Sequence, residues 1–180
     1  MTLTEAKILL ERNRIPYETA QYENEGAYFL HLSACHYAVS QALNCPVTAL
    51  VIPSVNGLRH IELQFNRVRG GYEFVDLYFG SYCFELEDQD PELLPGDILE
   101  TIGRIVDCRL GFIQVTDPRC RKWLGDACYD LTDSDEVFGA PGFREAVTKA
   151  ARKPTFWHKL TGRQRRYEIY TWRTFKTIPD

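Results

Sequence analysis

Apolar positions recur at two different periods along this chain, and the change of period marks the elements. From Thr4 onward, Ile8, Leu9 and Ile15 supply an apolar face at helical spacing, with Thr4 able to cap the helix and Pro16 to stop it. The stretch "QYENEGAYFLHLSACHYAVSQALNCP" reads as a second, longer helix, opened by Asn24 and closed by Asn44 and Pro46. At about 100° per residue, Tyr28, Leu32, Cys35, Val39 and Leu43 share one stripe of that helix. His31 and His36 border the stripe on opposite sides, about 140° apart. They diverge, so they do not join Cys35 at one metal, and Cys35 reads as a packing cysteine.

The period then shortens to two. "TALVIPSVNGLRHIELQF" reads as two strands joined by Asn56-Gly57, the pair favoured in a two-residue hairpin turn. The second strand alternates Ile61, Leu63 and Phe65 with His60, Glu62 and Gln64. That polar set is expected on the solvent side of an antiparallel hairpin. "YEFVDLYFG" is apolar on both faces except for Glu73 and Asp76, as suits an inner strand, and Gly80-Ser81 turns the chain into another. Asp76, set among aromatic residues, is expected to bond a tyrosine hydroxyl or a backbone donor.

Two acidic loops, "EDQDPELLPGD" and "DLTDSDEVFGAPG", punctuate the second half. Asp97 opens a helix whose Ile98, Ile102 and Ile105 fall on one face. "LGFIQVT" is a strand. Asp117-Pro118 then signals a helix start that Gly125 ends early. "FREAVTKAARK" is helical, and "RQRRYEIYTWRTF" returns as a strand.

The order of elements predicts an α+β fold: an antiparallel meander of about four to six strands, with helices packed mainly on one face. One domain is expected over 1–180, with a helical pair at 4–44, the meander at 47–86, helix, strand and helix at 93–153, and a C-terminal strand at 164–175. Apolar residues make up 44% of the chain and aromatics 13%, enough for a packed core rather than a disordered segment. The start of the sequence lacks the long apolar run of a secretory signal, and no window approaches a membrane span. A cytoplasmic location and no membrane partner are therefore expected. The six cysteines, Cys35, Cys45, Cys83, Cys108, Cys120 and Cys128, contain no CxxC pair, so reduced thiols are expected rather than a zinc ribbon. The acidic "DLTDSDE" lacks the spacing of a calcium loop. No metal, no cofactor and no assembled catalytic set is read from the sequence.

Charge changes the picture most. Residues 144–180 hold ten Lys or Arg against three Asp or Glu, whereas the net charge of the whole chain is −4. Within that basic segment, Trp157, Arg163, Arg165, Arg166, Tyr170 and Trp172 interleave cations with rings, the composition that holds single-stranded nucleic acid. Strand alternation places Arg166, Glu168, Tyr170 and Trp172 on one face. Cys120, flanked by Arg119, Arg121 and Lys122 at the expected helix start, is the candidate reactive thiol. Three functions follow. The leading one is a non-enzymatic domain that binds a protein partner, comparable by analogy to immunity proteins and chaperones. The alternatives are nucleic-acid binding through the basic aromatic segment, and a thiol or small-ligand enzyme using Cys120 or Cys35.

Overall fold

The computed structural model describes residues 1–24, 27, 46–55, 57, 59–69, 72–87, 92–117, 122–131, 142–150 and 165–179. Helix α1 spans Leu3–Arg12 and carries a capping box two residues earlier than expected. Thr2, not Thr4, accepts from the Glu5 backbone, and Glu5 reaches back to the Thr2 amide at 2.7 Å. Asn24 accepts a hydrogen bond from the Ala27 amide at 2.9 Å, the geometry of a helix cap. The rest of the long helix expected there, with His31, Cys35 and His36, lies outside the described residues, as does the acidic loop after Leu131.

Five strands form an antiparallel meander: β1 Glu18–Tyr22, β2 Val47–Ile52, β3 Ile61–Arg69, β4 Tyr72–Phe79 and β5 Tyr82–Glu87, in the order β1-β2-β3-β4-β5. β1 falls on residues whose polar composition gave no strand signal. The connection after β2 is longer than a two-residue hairpin. Ile52 pairs with Ile61, and Ser54 and Gly57 close a turn inside the intervening loop. His60 belongs to that loop, where its Nδ1 accepts from the Ser54 amide at 3.0 Å. The β4–β5 turn does have two residues, with Phe79 paired to Tyr82. Gly80 takes it at φ +61°, and a Cβ there would stand 2.8 Å from the Tyr170 hydroxyl.

Helix α2, Leu94–Val106, begins with Leu93 as its cap residue and Pro95 in the first turn, so Asp97 lies inside the helix rather than capping it. Its Leu94, Ile98, Ile102 and Ile105 are buried. They join Ala6 and Leu10 of α1 and the Leu50, Ile52, Ile61, Leu63, Phe65, Val75, Leu77 and Phe79 side of the sheet in one apolar cluster.

A second sheet follows. β6 Leu110–Asp117, β7 Lys122–Asp130, β8 Arg166–Tyr170 and β9 Phe175–Pro179 run antiparallel in the order β7-β6-β8-β9. The helix expected from Asp117-Pro118 up to Gly125 is strand from Lys122 on, with Asp117 paired to Lys122 and residues 118–121 outside the described residues. The single C-terminal strand expected at 164–175 is two strands. Thr171 makes the turn between them with its hydroxyl, which accepts from the amides of Arg173 and Thr174 at 3.2 and 3.1 Å. One face of this sheet, through Leu110, Phe112 and Tyr170, enters the first cluster. The other, with Ile113, Val115, Ala127, Tyr129 and Ile169, packs on Ala146 and Ala150 of helix α3, Phe143–Ala150. Gly125 of β7 permits that contact, since a Cβ there would meet the Ala150 carbonyl oxygen head on. Among the described residues no helix is long and apolar enough to cross a membrane.

Candidate functional site

The β8–β9 hairpin carries Arg166, Tyr170 and Trp172 of the sequence-predicted site, with Arg165 just before it, and burial sorts those residues. Tyr170 is fully buried and Trp172 is 5% exposed. Tyr170 stacks on Phe112 with ring centroids 5.5 Å apart, touches Phe79 at 5.5 Å, and donates to the Phe79 carbonyl at 3.3 Å. Burial pushes its hydroxyl pKa up. Trp172 packs 5.9 Å from Phe79. These two rings join the sheets, and neither is open to a nucleic-acid base. Arg165 is half-buried, whereas Arg166 is exposed, with Nε 3.4 Å from Glu168. Trp157 and Arg163 lie outside the described residues. In the turn Arg173, and beyond it Phe175, Lys176 and Thr177, are all exposed.

Arg59, which the sequence reading passed over, holds this hairpin to the first sheet. It comes from the β2–β3 loop and meets Glu168 of β8 at 2.6 Å and Gln114 of β6 at 3.3 Å. Its guanidinium also lies over the rings of Tyr170 and Phe175, 5.2 and 5.8 Å from their centroids. Glu168 and Gln114 are directly opposed in the ladder, so one guanidinium serves both. Residues 15–58 contain no Lys or Arg, which makes Arg59 the first cation after a long gap. Nothing in the sequence ties it to an acid 109 positions away.

The polar face of β3 also departs from expectation. Glu62, Gln64 and Asp76 are each 2% exposed, so this is not a solvent side. Gln64 stands directly opposite Asp76, and Glu62 opposite Tyr78. Tyr22 hydrogen-bonds Glu62, and burial followed by that carboxylate's charge pushes the Tyr22 pKa up to about 12. Alternation along a strand gives which residues share a face, not which face is covered.

The thiol reading finds little footing here. Cys120 lies outside the described residues, and the chain is strand β7 rather than helix from Lys122 on. Cys83, Cys108 and Cys128 are half-buried thiols. Burial pushes the Cys128 thiol up to about 12, away from reactivity. Among the described residues, no three His, Cys, Asp or Glu side chains gather closely enough to hold a metal ion.

No family model, curated protein or solved structure matches this chain. The hairpin offers cations and one exposed ring, Phe175, with Tyr170 and Trp172 drawn into the core and Tyr167 half-buried.

Proposed function

We propose that this chain is a cytoplasmic, non-enzymatic binding domain, of the accessory, immunity or chaperone kind, that docks its β8–β9 hairpin on an acidic protein surface. The observation that carries the reading is the exposure of Arg166, Arg173 and Lys176 on the hairpin that also carries Phe175, 38% exposed, while Tyr170 and Trp172 are withdrawn. Cations at an interface rim speed encounter and select against basic partners, and an exposed aromatic ring supplies an anchor. Single-strand binding draws on stacking platforms, and two of the rings counted for that purpose are buried. This favours a protein over a nucleic acid.

The test compares the wild-type chain with an Arg166→Glu, Arg173→Glu, Lys176→Glu variant as baits in lysate of the source cell. The expected result is a protein retained at low salt by the wild type, released by high salt and absent from the variant. Equal retention by both baits overturns the reading. Capture of single-stranded oligonucleotide in place of protein transfers the function to nucleic acid.

A further inference from the structure

We infer that the acidic partner contributes an extended segment that adds as a new strand to the outer edge of β9. This rests on the protein-binding reading above and names the form of the partner. β9 ends the order β7-β6-β8-β9, so it has a strand neighbour on one side only among the described residues. The parity of its backbone follows from the turn. The Thr171 amide donates to the Thr174 carbonyl at 2.9 Å, which makes 171 and 174 a hydrogen-bonded pair position. Antiparallel pairs alternate between bonded and non-bonded. With Tyr170 opposite Phe175 and Ile169 opposite Lys176, Lys176 and Ile178 direct their backbone groups at β8. Phe175 and Thr177 then direct theirs outward.

Among the described residues those outward amides and carbonyls meet no strand, with repeats about 6.8 Å apart at ordinary strand rise. The exposed residues 173–177 leave room beside it. Pro179 occupies the next outward position and has no amide to offer, so the edge closes there. Lys176 and Pro179 are also the devices that keep edge strands from sticking to copies of themselves. A second β9 brought alongside antiparallel, with Phe175 opposite Thr177, sets Lys176 directly against Lys176 of the other copy. An acidic strand meets the same cation favourably. The occupant that fits is thus an extended segment of another protein, with Asp or Glu beside Lys176 and an apolar residue beside Phe175. β1, an edge of the other sheet, exposes Glu18 and lacks this complementarity.

The probe is a fluorescein-labelled (Val-Glu)4 peptide, followed by anisotropy against the full chain at low salt. It is expected to bind, (Val-Lys)4 is not, and N-methylation throughout (Val-Glu)4 is expected to weaken binding at least tenfold. On the protein side, Thr177→Pro removes an outward amide while sparing the bonds to β8. It is expected to leave the melting temperature within a few degrees and to abolish peptide binding. Equal binding of the N-methylated peptide, absence of binding by (Val-Glu)4, or full binding by a folded Thr177→Pro variant overturns strand addition. If Thr177→Pro still captures the cellular partner and the triple charge reversal does not, strand addition fails while the protein-binding reading stands.

Discussion

Arg59 and Glu168 lie 109 residues apart in sequence, yet their side chains close to 2.6 Å with 16% and 14% exposure. A pair so shielded is costly to break on one side, because the remaining charge is left without its partner. Arg59→Ala is expected to destabilise the fold by about 2–3 kcal/mol, with Arg166 offsetting part of the lost charge. Urea unfolding checks this, and a change under about 0.5 kcal/mol means that Glu168 is solvated after all. Gly125 is a second sensitive residue. A methyl group there strikes the Ala150 carbonyl, so Gly125→Ala is expected to cost about 1–3 kcal/mol by forcing α3 off β7. A thermal melt equal to wild type excludes that close approach. Cys128 completes the set. Its thiol stays protonated well past the usual range, so it should resist iodoacetamide at pH 8 until the chain is unfolded.

Elements show where local sequence was enough and where it was not. The inner strand β4, the Gly80-Ser81 turn and the isoleucine face of α2 were all legible, because each writes its own period or turn residue into the chain. β7 was not. Asp117-Pro118 is a strong local helix signal, and "KWLGDACYD" contains Gly and two Asp, residues poor in strand propensity. Pairing with β6 on one side and packing under α3 outweigh those local terms. The division of the C-terminal strand was hidden for another reason. Its turn, "TWRT", contains no Gly, Pro or Asn, and two threonine hydroxyls 2.8 Å apart do their work. Buried Glu62 and Gln64 show the remaining limit, since strand alternation cannot say what will cover a face. The site was only half legible for the same reason. Composition found the basic segment, but only the fold separates exposed Arg166, Arg173 and Lys176 from buried Tyr170 and Trp172.

At the scale of the whole molecule, aromatic contacts among Phe79, Phe112 and Tyr170 and the Arg59 cluster weld the two sheets together. Burial raises the Tyr22 and Tyr82 hydroxyls and the Cys128 thiol to about 12. All three acids are neutral when protonated and ionise earlier in the unfolded chain. The folded state therefore holds more protons from about pH 9 to about pH 12, and stability should fall across that window as pH rises. Denaturant midpoints taken from pH 8 to pH 11 check the sign, and a flat or rising trend contradicts it. The most direct measurement is the dissociation constant of the captured partner for the wild-type chain and for the Arg166→Glu, Arg173→Glu, Lys176→Glu variant. Weakening of at least tenfold, diminishing as salt is raised, is the expected result. Equal affinities for the two chains contradict a basic hairpin that docks on an acidic protein.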